Sequence, residues 1–335
     1  MDSAADRRVR IRRIWLLAGL SAAALAVSVL LGRYPGPVLT PPSVIGTDTL
    51  ARDLVFHIRI PRVAAAFVLG AALSAAGAVF QTVFRNPLVD AGFLGVSQGA
   101  AFGASAAIVF ASGNAWAVQG GAALFAFLGL ALSYALATRI RVGDEILHLV
   151  LAGIVVGAFY AAGTGILKYI ADPQKQLPDI TYWMLGGLWG ITGRDVLQML
   201  PVAAAGLAYM LAVRWRLNLL AMRDETAFSL GAAPGRERLF VLIAAVAVTA
   251  AGVAKAGQIA WVGLIVPHIC RRLVGSETRV LLPASVLLGG IFVLVCDDVA
   301  RVALSGEIPL GILTSLLGTL LFLVLLLQRK IRGVG

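Results

Sequence analysis

No aspartate, glutamate, lysine or arginine occurs between Ala91 and Thr138. That stretch is too long for one bilayer crossing, which takes about 20 apolar residues. ASGNAW at 111–116 has turn chemistry and divides the run into a short span at about 92–110 and another at about 117–138. The rest of the chain has the same character. Hydrophobic residues make up 59% of its 335 positions and charged residues 13%, against about 25% charged in soluble domains. At about 30 residues per span plus loop, about ten spans fit.

Other charge-poor windows place spans at about 14–32, 61–84, 146–168, 194–213, 239–256, 280–303 and 308–327. GQIAWVGLIVPHICRR at 257–272 is too short for a full span and reads as a half-buried helix. The proline-rich stretch from Arg33 to about Ile60, and ADPQKQLPDITYW at 171–183, read as outer loops. FRNPLVD at 84–90 and RIRVGDE at 139–145 read as inner turns. The chain opens with RRVRIRR ahead of its first apolar run. A signal peptide also starts basic and then apolar. This run exceeds the usual apolar core, and no small-residue cleavage site follows it. It is therefore read as a retained span with its N-terminus in the cytoplasm. Ten segments return the C-terminus to the same side. This threading puts nineteen Lys and Arg inside and nine outside, as the positive-inside rule requires. The net charge of +11 is then topological bias and not a nucleic-acid footprint.

Gly70, Ala71, Ser74 and Gly77 stand at small-xxx-small spacing on the second span, which allows close helix approach. RVAAAFVLGAALSAAGAVFQTVFRNPL at 62–88 and RLFVLIAAVAVTAAGVAKAGQIAWVGL at 238–264 share a basic start, an alanine-rich span and a glycine-bearing break. Inverted repeats with broken helices are a transporter feature. Cys270 and Cys296 lie in apolar surroundings and read as buried free thiols. His57, His148 and His268 are far apart in sequence and read as ordinary polar contacts, not metal ligands. Neither G-x-x-x-x-G-K-[ST] nor H-E-x-x-H occurs, so any nucleotide engine must be a separate chain. No catalytic residue is assigned.

Charges in or near spans are informative because they are costly. Lys255, Asp297, Asp298 and Arg301 fall near outer span ends, and Asp298 can pair with Arg301 three residues on. Arg59 and Arg62 flank Pro61 on the same side. They read either as headgroup anchors or as a basic rim suited to a partner's carboxylates. Asn86–Pro87 favours a bend. FRNPLVD reads as a plain turn or as a constriction in which Asn86 and Leu88 narrow a pore. The longest inner polar interruption, residues 214–238, carries eight charges in twenty-five residues yet keeps apolar positions at helical spacing. Charged, structured and flanked by spans, it is a candidate docking site for a soluble partner.

These stretches together resemble the FecCD-type (type II) permeases of ABC importers for iron–siderophore, haem and vitamin B12. The likeness runs through R-I-P-R at 59–62, GAALSAAGAVFQTVFRNPLVDAGFLGVSQGAAFGA at 70–104 and YWMLGGLWG at 182–190. It continues through LNLLAMRDETAFSLG at 217–231, GQIAWVGLIVPHICRRLVG at 257–275, LLPAS at 281–285 and EIPLGILTSLLG at 307–318. The resemblance implies an all-α permease domain spanning residues 1–335, with ten transmembrane helices per subunit, some short or broken. It implies a homodimer in the cytoplasmic membrane of a prokaryote, contacting lipid and no nucleic acid. A separate ATPase dimer would bind ATP and Mg on the inside, leaving no cofactor in this chain. An extracytoplasmic binding protein would deliver substrate to Arg59, Arg62 and Arg301. Asn86 and Leu88 match the cytoplasmic gate. The coupling helices match roughly 219–235, with Leu219, Leu220, Arg223, Glu225, Leu230 and Gly231 as ATPase contacts. Ala91, Trp261 and Leu320 depart from the family's usual residues.

The implied cargo is a metal chelate, iron–siderophore or haem first and cobalamin second. The alternative within the family is an oxyanion such as molybdate. A secondary transporter would need buried acids at mid-membrane, whereas the acids here sit near helix ends. An intramembrane enzyme finds no paired catalytic acids, Ser–His pair or metal cluster in the sequence.

Overall fold

The structure is a computed structural model that describes residues 4–36, 38–139, 145–304 and 306–332. The described residues are helical apart from turns and one isolated bridge between Leu31 and Leu39. In chain order the helices are α1 (Ala4–Leu30), α2 (Pro42–Thr47), α3 (Thr49–Asp53), α4 (Ile60–Val83), α5 (Val96–Phe110) and α6 (Ala115–Ala137). They continue as α7 (Glu145–Ile170), α8 (Gln176–Leu185), α9 (Gly193–Ala212), α10 (Leu217–Leu220) and α11 (Asp224–Ser229). The last four are α12 (Pro234–Ala256), α13 (Val262–Val274), α14 (Thr278–Val302) and α15 (Leu310–Arg332). Seven helical stretches among the described residues are long and apolar enough to cross a membrane. With the shorter apolar helices α5 and Leu310–Leu325, and with α13, they account for the ten predicted segments. The chain is an integral membrane protein. Most of the predicted turn RIRVGDE, residues 140–144, lies outside the described residues.

Three boundaries differ from expectation. The predicted first span at 14–32 begins at Ala4, because the basic stretch continues the helix beyond its apolar part. The predicted outer loop up to Ile60 is largely helical. Pro42 opens α2 at a position that needs no N–H, and the Asp48 carboxylate accepts from Leu50 N at 2.9 Å to cap α3. A π-helical turn, Leu54–Arg59, then joins α3 to α4 just before Pro61. That proline lacks the N–H an α-helical ladder would use. The outer loop at 171–183 contains α8. Pro178 falls in its first turn, where proline is tolerated, and Ile180 is fully buried.

The bundle is assembled around α4, which packs on α14, α12, α13 and α9. Lipid tails are as apolar as leucine, so helices here associate by close contact and not by hydrophobic exclusion. Small residues permit that contact. A Cβ built on Gly70 would sit 2.1 Å from the Gly289 carbonyl oxygen, and one on Gly77 1.9 Å from that of Gly263. The small-residue pattern on the second span therefore divides its labour: Gly70 and Ser74 meet α14, and Gly77 meets α13.

Pro267 interrupts α13 and leaves the carbonyl of Gly263 without its helical N–H. Gln81 of α4 fills the gap, its Nε2 donating to Gly263 O at 3.0 Å and Leu264 O at 3.1 Å. The two sequence units at 62–88 and 238–264 share a helix–break–helix course. α4 is followed by the non-helical turn after Val83, and α12 by the break at 257–261.

Arg62 opens α4 and the turn 84–90 closes it, so they lie about 36 Å apart at 1.5 Å per residue. Contacts sort the other helices by the same two ends. Gly252 of α12 lies against Leu69 of α4, which puts Lys255, bonded to Asp195 and Gln119, toward the Arg62 end. Asn218, Arg214 and Thr278 meet at the turn end, where Arg10 faces Glu277. The chain therefore alternates direction as ten-segment threading requires.

Gly77→Val is expected to force α4 and α13 apart. An overpacked contact costs about 1–3 kcal/mol, so the thermal midpoint in detergent should fall clearly below wild type. An unchanged melt would mean that the crossing is looser than the geometry here.

Candidate functional site

At the Arg62 end, two arginines and three carboxylates form one network, buried except at Glu307, with Arg59 beside it. Arg62 donates from Nε to Asp297 Oδ1 at 3.0 Å and from Nη2 to the same oxygen at 2.9 Å. Its Nη1 donates to both Glu307 oxygens, at 2.8 and 2.9 Å. Arg301 reaches Asp297 Oδ2 at 3.1 Å and pairs with Asp298, as the i,i+3 spacing predicts. Arg301 also donates to the carbonyls of Leu31 and Ser28, each at 3.2 Å. Ser28 Oγ in turn donates to Asp298. Arg59 has no carboxylate partner among these. It donates to Thr40 Oγ1 at 2.7 Å and to the carbonyls of Leu30 and Tyr34.

The predicted basic rim is therefore neutralised by its own chain. Arg59 and Arg62 are each only 7% exposed and Asp297 is fully buried. The accessible member is Glu307, at 43%. Charges of this kind survive out of water only when paired and hydrogen-bonded. The network ties α1, α4 and α14 to the connection before α15. The rim reading from sequence missed it because the partners of Arg62 lie 235 and 245 positions away.

At the opposite end, the turn after α4 is braced by its own backbone. Arg85 N donates to Thr82 O and Asn86 N to Gln81 O, the paired bonds of a Schellman helix stop. Asn86 Oδ1 accepts from Leu88 N at 2.9 Å. The Asp90 carboxylate accepts from Gly92 N at 2.8 Å and caps the 3-10 turn Ala91–Leu94. Burial raises the Asp90 carboxyl above its usual range, and the Gly92 N–H works the other way. Asn86 and Leu88, the predicted gate residues, are both exposed, Leu88 at 46%. Arg85 holds the left-handed position of the stop with φ 51°. That backbone costs a residue with a Cβ roughly 1–2 kcal/mol.

Beside this turn, residues 214–238 fold into two short helices, α10 and α11. Leu217 and Leu220 are buried, which corrects the reading of Leu220 as a surface contact: it anchors α10 to the bundle. Leu219 is half-buried, and Arg223 and Glu225 are exposed. The apolar face left to a partner is Met222, Phe228 and Leu230, exposed by 42, 73 and 57%. Gly231 terminates α11 at φ 83° with no heavy atom near a would-be Cβ. Its importance is thus conformational, not steric. Arg216 holds the two ends of the loop together by pairing with Glu237. That hydrogen bond raises the Arg216 guanidinium above its ordinary range. Asp224 accepts from Arg85 Nη2 at 3.0 Å and from Arg238 Nη2 at 2.8 Å. No residue-by-residue reading could see this contact, since Arg85 and Asp224 are 139 positions apart.

No group of three or more His, Cys, Asp or Glu side chains among the described residues could hold a metal ion. His148 is buried, His57 faces Asp53 at 3.8 Å and His268 meets the Phe322 ring. A cavity of about 270 Å³ lies between α4, α5, α12 and the break before α13, with Asp90, Gln98 and Gln258 in its wall.

Ten membrane segments, a charged network at one end and a two-helix loop beside an exposed turn at the other define a polytopic permease. Residues 10–328 match the model of the FecCD transport family, and the chain belongs to that family. It is 40% identical over 313 residues to the cobalamin import system permease protein BtuC of Halobacterium salinarum, covering 92% of this chain and 84% of that one. It is 34% identical over 316 residues to the molybdate import system permease protein MolB of Haemophilus influenzae, covering 92% and 93%. A metal-chelate type ABC transporter solved in an inward-facing conformation superposes with a TM-score of 0.88 at 33% identity, over 95% of this chain and 99% of that one. The chain is a permease of the ABC-importer type.

Arg62→Ala should leave Asp297 buried without its counter-charge and lower stability by about 3–5 kcal/mol. Glu307→Gln, at the exposed edge, should cost about 1 kcal/mol or less. Thermal unfolding of the two variants side by side checks the order, and equal losses would contradict the network.

Proposed function

We propose that this chain is the membrane subunit of an importer for a metal chelate, working as a pair of identical copies in the cytoplasmic membrane. The end bearing α10 and α11 faces the cytoplasm and receives a separate ATPase dimer. The end bearing Arg59, Arg62 and Arg301 faces outward and receives a substrate-loaded binding protein. The observation that carries the reading is the exposed apolar face of Met222, Phe228 and Leu230. It sits on two short helices braced by ion pairs. Such a patch, rimmed by Arg223 and Glu225, fits a protein partner. The sidedness is supported by the cluster of arginines at that end.

ATP-driven closure of the ATPase dimer presses on α10 and α11. The turn at Asn86 and Leu88 changes position, and the cargo released by the binding protein passes between the two copies. Because Arg62 and Arg301 are paired within the chain, Glu307 is the most exposed group of the network. Exchange of its carboxylate for one on the binding protein would keep Arg62 paired throughout. The relatives carry unlike cargoes, a cobalt corrinoid and an oxyanion, at 40 and 34% identity. Overall identity therefore does not select the cargo. The structural similarity to a metal-chelate transporter favours a chelate, and the ligand found on the cognate binding protein decides it.

The partner ATPase should co-purify with the wild-type chain, and transport into proteoliposomes should stop when that ATPase is inactivated. Transport by the chain alone would overturn the reading. Leu230→Ala should weaken ATPase binding by about tenfold, since a central apolar contact is worth more than 1 kcal/mol. Gly231→Val should uncouple hydrolysis from transport through its disallowed φ.

A further inference from the structure

We infer that Arg85 and Asp224 form a relay that carries movement of α11 to the turn bearing Asn86 and Leu88, with Arg85 as a positioning residue. The inference rests on the coupling role proposed above for α11.

The first observation is the residue type at two matching helix stops. α4 and α11 end in the same motif: Asn86 N donates to Gln81 O and Arg85 N to Thr82 O, just as Ala232 N donates to Ala227 O and Gly231 N to Phe228 O. The position after the cap is left-handed in both, φ 51° at Arg85 and 83° at Gly231. At the end of α11 the chain places glycine, which adopts that backbone freely. At the end of α4 it places arginine, which does not. The stop itself needs no side chain there. What arginine adds is its bond from Nη2 to Asp224 Oδ1, at 3.0 Å. A strained backbone kept at a functional turn points to a contact that the strain serves.

The second observation is where Asp224 sits. It is the first residue of α11, and the same oxygen accepts from Arg238 of α12 at 2.8 Å. Arg238 is buried, so Asp224 has one fixed neighbour and one on the turn. The turn moves as a piece, because Asn86 Oδ1 holds Leu88 N and the Asn86 carbonyl accepts from Val89 N. α10 packs on α4 and is also tied to the start of α14. Asn218 Oδ1 accepts from Thr278 N at 3.1 Å, and Thr278 Oγ1 donates to Arg214 O. The loop thus has two ties to the bundle: α10 lies against α4 and the start of α14, and α11 reaches the turn through Asp224. The Arg85 and Asp224 side chains are 29 and 42% exposed, and pairs this open contribute little to stability. That suits a contact that re-forms between two positions of the turn.

The test uses the assembled complex in nanodiscs with its ATPase. Cys270 and Cys296 are fully buried, so Leu88→Cys introduces the accessible thiol, and its rate of maleimide labelling reports the turn. In an otherwise wild-type chain the rate should change several-fold between ATP-bound and nucleotide-free complex. R85G keeps the helix stop, since glycine fits its φ, and removes the relay; the ATP-dependent change should vanish while the ATPase still co-purifies. D224N should abolish it likewise, and decides the matter should R85G fail to assemble. A wild-type change in labelling that persists in both variants overturns the relay and leaves the coupling role standing. Failure of the unmutated chain to hold an ATPase overturns the coupling role, and the relay with it.

Discussion

Everything in this bundle depends on helices approaching α4 more closely than side chains would normally allow. In a bilayer no hydrophobic force separates helix–helix from helix–lipid contact, so dispersion at short range must do the work. Gly70 and Gly77 let the carbonyls of Gly289 and Gly263 lie where Cβ atoms would otherwise be. Once α4 is pinned to α14 and α13, the frame from which both ends are built is fixed. One end carries the arginine network and the other the exposed turn.

The two ends solve opposite electrostatic problems. At the Arg62 end, charge is mostly buried, with two arginines shared among three carboxylates and cross-linked between helices. Such a cluster specifies one arrangement, because a displaced helix would strand a charge. At the turn end, the pairs are partly wet. Arg85–Asp224 and Arg216–Glu237 leave room for side chains to shift. The buried network is a clamp, and the pairs at the turn end are more open contacts.

Much of the fold was legible in the chain. The charge-free run at 91–138 and the turn chemistry at ASGNAW predicted α5 and α6 to within a few residues, and Asn114 caps α6 as that turn suggests. The broken eighth segment is α13, with Pro267 inside it. Proline misled the reading of 171–183, where Pro178 lies in a first turn and costs nothing. It also hid the helix before Ile60, where a π turn absorbs Pro61. Of the site, Asn86 and Leu88 lie in the turn that Asn86–Pro87 predicted, and Leu230 is exposed in the loop. The burial of Leu220 and of the arginines was not visible. A residue's face on a four-residue helix depends on what lies beneath it, and a guanidinium's environment depends on carboxylates from distant spans.

By itself the sequence determined the number of segments, their alternation and the family. These follow from hydropathy, charge bias and local motifs, all of which act over a few residues or over the whole chain at once. Only the tertiary structure decided which charges meet. Arg62 with Asp297 and Glu307, Asp224 with Arg85 and Arg238, and Gln81 with the carbonyls freed by Pro267 are pairings at a distance. Their energies are set by burial and geometry, and those exist only once the helices are packed.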